Sequence, residues 1–191
     1  MICYLVRHGK DDESLRGGWS QQPLTEEGIL QAETLAEQIA SKTNIRKIYS
    51  SDLQRAMQTA QIIAQRMQLP VTALSSFRET NNGDLAGMKN SIALERYPGL
   101  FWNQLDWDQR YPNGESPRQF YERVRTAWEV FSQMIASQQD DVLLVTHGGV
   151  IHVILSILEG RIYSNAEKQR PVKYTQMLTL VQEEGHWKEV K

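Results

Sequence analysis

Two short runs of apolar residues constrain the fold of this chain more than any other feature. Residues 2–6 form one run and residues 142–145 the other, and a polar turn that contains glycine ends each of them. Apolar runs of this length, partly β-branched, are typical of strands, and a strand without polar alternation is covered on both faces. The sequence therefore predicts a sheet whose central strands lie between two layers of helices.

The remaining strand candidates alternate with helical stretches. They cover residues 45–49, 71–74 and 177–181. Strands that alternate with helices of ten to twenty residues are typical of a parallel sheet with crossover helices. The chain of 191 residues suits a single domain. The prediction is an α/β fold over residues 1–191, a three-layer sandwich with a mainly parallel central sheet and helices on both faces.

Three sequences predict where helices begin. Thr25 precedes two glutamates, and a capping hydroxyl followed by acidic first-turn residues is typical of a helix N-terminus. The S-x-x-Q sequences at residues 51–54 and 116–119 match the capping box, in which the serine and glutamine side chains each bond the other's backbone N–H. We expect the first helix to reach about residue 39 and the other two to end near residues 67 and 137.

Composition and charge exclude several classes of protein. The 21 basic and 23 acidic residues give a net charge of −2, without a basic stripe that would follow a nucleic-acid backbone. The longest stretch without charged residues, 142–158, contains six polar or glycine positions, so no membrane span is expected. A single cysteine, Cys3, and an N-terminus unlike a signal peptide predict a cytoplasmic protein.

Familiar cofactor and metal motifs are absent from the sequence. It contains neither the glycine-rich loops that bind nucleotide phosphates nor the H-E-x-x-H zinc motif. His147 and His152 are five residues apart, which places them on different sides of a helix rather than around one metal ion. The sequence therefore predicts neither a metal nor a cofactor.

Two histidines and two arginines fall at the predicted carboxyl ends of strands. Arg7 and His8 follow the first strand, His147 follows the strand at 142–145, and Arg55 lies near the start of the helix after the strand at 45–49. In open parallel sheets ligands bind beyond these strand ends, and free N–H groups at a helix start favour anions. The four side chains predict a phosphate site.

Several sequence blocks resemble those of one protein family. They are Leu5-Val6-Arg7-His8-Gly9 with residues 18–20 and 23–28, residues 49–56 with 58–60, Phe77-Arg78-Glu79, residues 113–116, and residues 146–151. In this order, and over nearly the whole chain, they resemble the histidine phosphatase superfamily, the phosphoglycerate-mutase-like proteins. The three letters R-H-G alone would be a weak signal, whereas the ordered set is a strong one.

The resemblance implies a phosphomonoesterase that works without a metal. His8 matches the family's nucleophile, which forms a phosphohistidine and so divides one difficult displacement into two. Arg7, Arg55 and His147 match its phosphate pocket, where fixed positive charge stabilises the transferring phosphoryl group. Glu79 matches its proton donor, which protonates the leaving oxygen and later accepts a proton from water. These are the predicted catalytic residues, and a small phosphorylated metabolite is the predicted substrate.

The resemblance also implies a set of residues that contact substrate. They are Gly18, Trp19, Ser20 and the backbone N–H of Gly148, together with Arg7, Arg55 and His147. Many relatives continue after R-H-G with an acidic or amide residue and then Thr or Ser, whereas here the chain reads Lys10-Asp11-Asp12-Glu13-Ser14. Lys10 and Ser14 are alternative replacements for the accessory phosphate ligand, and we interpret residues 11–13 as a solvated acidic loop.

Three functions stay open on the sequence alone. Mutases of this type are generally longer between the acid and the final block, so a phosphatase is favoured over a phosphoglycerate-type mutase. A phosphate-binding module without catalysis is the third reading, but such a module would be expected to lose the nucleophile or the acid first. Residues 88–114, rich in aromatic side chains, are predicted to cap the site. Monomer and homodimer both remain possible.

Overall fold

A six-stranded mixed sheet organises the part of the chain that the computed structural model describes, residues 1–138, 140–183 and 185–190. The strands are β1 (Ile2–Arg7), β2 (Ile45–Ser50), β3 (Val71–Ala73), β4 (Asp141–Thr146), β5 (Met177–Glu183) and β6 (His186–Val190). Their order across the sheet is β3-β2-β4-β1-β5-β6. The first four strands pair in parallel, whereas β5 is antiparallel to β1 and β6 to β5.

Helices cover both faces of this sheet, as the apolar runs predict. They are α1 (Glu26–Lys42), α2 (Gln54–Met67), α3 (Asn90–Arg96), α4 (Pro117–Gln138) and α5 (Gly148–Leu158). Tyr4 and Val6 of β1 pack with α1 and α2, while Cys3 and Leu5 point the other way and pack with α4 and α5. This confirms the three-layer α/β fold. No helix among the described residues is both long and apolar enough to cross a membrane.

Two of the three predicted helix starts are confirmed in their side-chain contacts. The Thr25 hydroxyl accepts a hydrogen bond from the Gly28 N–H at 3.1 Å at the start of α1. At the start of α4, Ser116 Oγ accepts from the Gln119 N–H at 3.2 Å, and Gln119 Oε1 accepts from the Ser116 N–H at 3.1 Å. Both N–H groups would otherwise lack a partner inside the helix, so the reciprocal pair fixes the position at which α4 begins.

The capping box predicted for residues 51–54 is wrong. Helix α2 begins at Gln54, and its N-cap residue, Leu53, makes no side-chain capping bond. Ser51 precedes that position, and its hydroxyl lies 2.8 Å from His147 Nε2, a residue that follows a different strand. A contact with a distant part of the chain therefore replaces the local cap.

The sixth strand was not predicted from the sequence. Strand β6 has the sequence HWKEV, in which exposed and partly exposed residues alternate. It lies at the edge of the sheet and pairs only with β5 among the described strands. A short edge strand with one partly covered face has too few apolar residues to be distinguished from a surface loop.

Residues 88–114 form an excursion from the sandwich that includes α3. A small apolar cluster holds this segment together, formed by Leu85, Leu105 and Tyr111 with Tyr97, Leu100 and Trp102 around them. The segment therefore has a cluster of its own, and it is also joined to the sandwich, because Trp102 and Trp107 pack against the cluster on the α4 and α5 face of the sheet. Its role as a cap stays a prediction.

Candidate active site

Neighbouring parallel strands bring the two predicted histidines together. Arg7 at the end of β1 lies opposite Thr146 at the end of β4, so His8 and His147 leave the sheet side by side. Their ring centroids are 5.1 Å apart. Arg55, the second residue of α2, reaches the same place from the far side of β2. The predicted convergence at the carboxyl ends of the strands is thus present.

The hydrogen bonds of His8 define which of its nitrogens carries the proton. Nδ1 lies 2.7 Å from the Gly9 carbonyl oxygen, which can only accept, so Nδ1 bears the hydrogen. Nε2 then carries the lone pair, and Arg55 Nε donates to it at 3.2 Å. Burial and the positive charge of Arg55 hold the pKa of His8 well below its usual value. His8 is therefore a neutral imidazole with its nucleophilic nitrogen at Nε2.

Gly18 and Ser20, two of the residues predicted to contact substrate, accept hydrogen bonds from Arg55. The guanidinium is only 1% exposed, and its Nη2 donates to the Gly18 carbonyl oxygen at 2.8 Å. Its Nη1 donates to the Ser20 carbonyl oxygen at 3.1 Å. Because these bonds leave Nε directed at His8, the loop that carries Gly18 and Ser20 determines how Arg55 faces the nucleophile.

His147 is fully buried between Ser51 and His8. Ser51 Oγ lies 2.8 Å from His147 Nε2 and accepts from the Leu53 N–H at 3.4 Å, and we assign the Ser51 hydroxyl as the donor to Nε2. Burial, followed by the charge of Arg55, lowers the pKa of His147 well below its usual value. The neutral ring then carries its hydrogen on Nδ1, which points into the site as a donor.

Two buried donors in the site have no protein acceptor. No described residue supplies a hydrogen-bond partner to Arg7 Nε or to His147 Nδ1. Elsewhere Arg7 is well held, since Nη1 donates to the Val172 carbonyl oxygen at 2.7 Å and its guanidinium lies over the Tyr174 ring. Unsatisfied buried donors are costly, so this pair is suited to an anion that brings oxygen acceptors.

Glu79 is fixed at the start of α5. Its Oε2 accepts from the Gly149 N–H at 3.0 Å and its Oε1 from the Thr80 N–H at 3.1 Å. The first N–H groups of a helix lack partners inside the helix, so the Glu79 carboxyl group satisfies one of those at the start of α5. Trp19 Nε1 donates to the Glu79 carbonyl oxygen at 2.6 Å. Trp19, predicted to contact substrate, therefore holds the backbone of the predicted acid.

The close approach of Gly149 to Glu79 leads to a testable expectation. A methyl group on Gly149 would lie 2.4 Å from Glu79 Oε1, so Gly149→Ala must push the carboxyl group aside. Because the side chain is flexible, we expect little change in thermal unfolding but a loss of about 10- to 100-fold in kcat for an alkyl phosphate, whose leaving oxygen needs the proton of Glu79.

Gly148→Ala is the matched control for this substitution. A methyl group on Gly148, the first residue of α5, would make ordinary contact with Arg7, its nearest atom being Nε at 3.8 Å. The variant keeps the N–H that was predicted to bind substrate, so its kcat should stay within about threefold of the wild type. Equal losses in the two variants would mean that the position of Glu79 does not limit the reaction.

A cavity of about 420 Å³ opens beside Glu79. Its wall includes Arg16, Trp102, Tyr111, His152, Tyr163 and Gln169. Trp102 and Tyr111 come from the predicted cap segment, so this segment borders the cavity. A larger groove of about 680 Å³ lies along α4 and contains none of the predicted site residues. The smaller cavity is the one that adjoins the predicted catalytic residues.

The interpretation of residues 11–13 as a solvated loop is wrong for Asp11. Asp12 and Glu13 are exposed, but Asp11 is only 9% exposed, and its Oδ2 lies 3.4 Å from Arg55 Nε. Its Oδ1 accepts from the Tyr174 hydroxyl at 3.2 Å. An acidic triplet normally stays in water, and only the positive charge of Arg55 makes burial of this one carboxylate favourable.

Sequence reasoning also missed Tyr174. This residue belongs to the irregular segment before β5, and its ring centroid lies 5.7 Å from that of His8. Nothing in its local sequence distinguishes it from a surface tyrosine. Its position beside the nucleophile depends on the antiparallel pairing of β5 with β1, which brings the end of this segment back to Arg7.

The two proposed replacements for the accessory ligand lie elsewhere. Lys10 Nζ is 2.5 Å from Glu27 Oε2 on α1. Ser14 is exposed, and its N–H donates to Asp12 Oδ1 at 2.9 Å. The donors that face the site are therefore those of Arg7, Arg55 and His147. The described part of the chain brings no three His, Cys, Asp or Glu side chains together in a way that would hold a metal ion.

Comparison with protein families gives one match over nearly the whole chain. The family model of the histidine phosphatase superfamily, branch 1, matches residues 3–191. The uncharacterized phosphatase PhoE of Bacillus subtilis (strain 168) is 32% identical over 162 residues, which are 83% of this chain and 77% of that protein.

Two further proteins show the range of relatives. The 2,3-bisphosphoglycerate-dependent phosphoglycerate mutase of Bartonella bacilliformis is 33% identical over 171 residues, covering 82% of this chain and 80% of that protein. Among solved structures, a mycobacterial glucosyl-3-phosphoglycerate phosphatase superposes with a TM-score of 0.79 at 27% identity, covering 98% of this chain and 96% of that one. Phosphatases and a mutase thus share this sequence pattern.

Proposed function

The chain belongs to the histidine phosphatase superfamily and is a phosphatase, and we propose that it hydrolyses a small phosphorylated metabolite through a phosphohistidine at His8 without a metal ion. The observation that carries this proposal is the state of His8. A neutral ring presents the Nε2 lone pair to a pocket whose remaining donors, on Arg7, Arg55 and His147, are suited to phosphate oxygens.

Substrate binding would satisfy the donors of the site that have no protein acceptor. Arg7 Nε and His147 Nδ1 would donate to phosphate oxygens, and Arg55 would exchange its bond to His8 for one to phosphate. That exchange frees His8 Nε2 at the moment when phosphorus is in place. Fixed positive charge then stabilises the equatorial oxygens of the transferring phosphoryl group.

The first chemical step forms the bond between His8 Nε2 and phosphorus and breaks the bond from phosphorus to the ester oxygen. Glu79 gives its proton to the departing oxygen, and the Gly9 carbonyl oxygen, bonded to Nδ1–H, stabilises the positive charge that develops on the ring. Water then attacks phosphorus, Glu79 takes the proton, and the bond to Nε2 breaks. His8 returns to its neutral state, and inorganic phosphate is released.

The cavity beside Glu79 would take the alcohol part of the substrate. At about 420 Å³ it has room for a metabolite of modest size. We propose that residues 88–114 act as its cap, because Trp102 and Tyr111 form part of its wall. Arg16 lines the same cavity and would favour an alcohol that carries an acceptor or negative charge.

The test follows hydrolysis of a small aryl phosphate by the purified protein in EDTA. We expect turnover to persist, and rapid quenching of the wild type in base to recover a phosphoprotein that acid destroys, which is the behaviour of phosphohistidine. Loss of turnover in EDTA with recovery on adding a divalent cation would contradict the proposal. Phosphate binding without turnover or labelling, in a folded protein, would instead indicate a non-catalytic phosphate-binding module.

A phosphoglycerate-type mutase is the second candidate, and the similarity to the Bartonella mutase favours it. The two activities differ in what accepts the phosphoryl group from His8. With 3-phosphoglycerate and a trace of 2,3-bisphosphoglycerate, a phosphatase releases inorganic phosphate, whereas a mutase forms 2-phosphoglycerate faster than it releases phosphate. We expect phosphate release to dominate.

A further inference from the structure

Asp11 places a negative charge inside the proposed phosphate pocket. One carboxylate oxygen, Oδ2, lies 3.4 Å from Arg55 Nε, the same nitrogen that donates to His8 Nε2. The side chain is 12% exposed, so water screens this charge poorly. Arg55 is therefore shared between the nucleophile and a carboxylate, and a bound phosphate must compete with that carboxylate for it.

Tyr174 keeps the carboxylate in this position. Its hydroxyl lies 3.2 Å from Asp11 Oδ1, while its ring stacks on Arg7, with Cζ 3.8 Å from the ring centroid. Burial raises the pKa of Tyr174, so the hydroxyl keeps its proton and acts as the donor. The hydroxyl shares its single hydrogen between Asp11 and Glu13 Oε1, which lies 3.1 Å away on the exposed side of the same loop. Asp11 is thus held on the pocket side by contacts to two different elements.

Asp11 and a bound phosphate would place two negative charges in the same pocket. Phosphate bound to Arg7, Arg55 and His147 would lie close to the Asp11 carboxylate, since both contact Arg55. Two negative charges a few ångströms apart in a poorly hydrated site repel strongly, and a dianion is repelled more than a monoanion. The ester and the inorganic phosphate product both meet this repulsion, but the product lacks the contacts that the alcohol part makes in the cavity.

We propose that Asp11, held by Tyr174, competes with phosphate for Arg55 and so lowers the affinity of the pocket for inorganic phosphate. This inference rests on the proposed function, because it assumes that phosphate binds at Arg7 and Arg55. Its consequence is fast product release and weak product inhibition. The ester gains additional affinity from its alcohol part, which inorganic phosphate lacks. Asp11 therefore also increases the preference of the site for the ester over inorganic phosphate.

The experiment measures the dissociation constant of inorganic phosphate by isothermal titration, with competitive inhibition of aryl phosphate hydrolysis as a second readout. Asp11→Asn removes the charge and nearly keeps the shape, and we expect it to bind phosphate at least tenfold more tightly than the wild type. Asp11→Ser should show the same change and covers the case in which the asparagine variant does not fold. Tyr174→Phe, which frees the carboxylate, should give a smaller change in the same direction.

Asp12→Asn is the matched control, because Asp12 is an exposed aspartate in the same loop. Its phosphate affinity should equal that of the wild type. If the wild type binds phosphate, Arg7→Ala abolishes binding, and Asp11→Asn binds no more tightly, then the proposal for Asp11 is overturned and the proposed function stands. If neither the wild type nor Asp11→Asn binds phosphate, the proposed function and this inference both fall.

Discussion

Replacement of His8 by alanine is expected to lower kcat for an aryl phosphate at least about a thousandfold. His8 supplies the only protein atom in our mechanism that bonds to phosphorus, and the neighbouring His147 is not placed to substitute for it. His147 directs Nδ1–H at the pocket and keeps Nε2 on Ser51, so it offers a donor where a lone pair is needed. Steady-state rates and the recovery of base-stable phosphoprotein should disappear together.

Two companion variants separate a chemical loss from a structural one. His8→Asn keeps a polar side chain next to Gly9 and Arg55 and should be equally inactive, with thermal unfolding and phosphate binding close to the wild type. His186→Ala removes an exposed histidine in β6, far from the pocket, and should leave kcat unchanged. Turnover by His8→Asn within tenfold of the wild type would rule out the phosphohistidine intermediate, because water would then be attacking phosphorus directly.

The parts of the site that the sequence predicted are those fixed by the ends of central strands. Arg7, His8 and His147 follow apolar runs typical of buried strands, so the topology of a parallel sheet is enough to bring them together. The position of Arg55 can be predicted for the same reason, because Arg55 lies at the start of the helix after β2. The hydrogen bonds that orient Arg55 could not be predicted, because its partners, Gly18 and Ser20, belong to a loop without a repeating pattern.

The errors arise where a distant contact overrides a local pattern. Ser51 matches a capping box by its neighbours in sequence, but its hydroxyl is bonded to His147, 96 residues later. Asp11 looks like one of three solvated acids until Arg55 and Tyr174, the latter 163 residues later, are placed beside it. Neighbouring residues in the sequence determine the contacts of such a side chain only when no buried group elsewhere in the fold forms a hydrogen bond or ion pair with it.

Replacement of Glu79 by glutamine is expected to lower the rate of hydrolysis. The loss should be larger for an ester whose leaving oxygen is more basic and therefore depends more on protonation. An alkyl phosphate leaves as a strongly basic alkoxide, so loss of the acid should lower kcat/KM by about 10²- to 10⁴-fold. An aryl phosphate leaves as a much weaker base, and we expect a loss below about tenfold. The amide oxygen of glutamine can still accept the Gly149 N–H, so the start of α5 keeps its partner.

The ratio of the two losses is what identifies a proton donor. A residue that only positioned phosphate would slow both esters alike, because both present the same phosphoryl group to Arg7, Arg55 and His8. Glu122→Gln, which changes an exposed glutamate on α4, is the matched control and should affect neither substrate. Equal losses for the alkyl and the aryl ester in Glu79→Gln would assign Glu79 to positioning and would require another group, such as a bound water, to protonate the leaving oxygen.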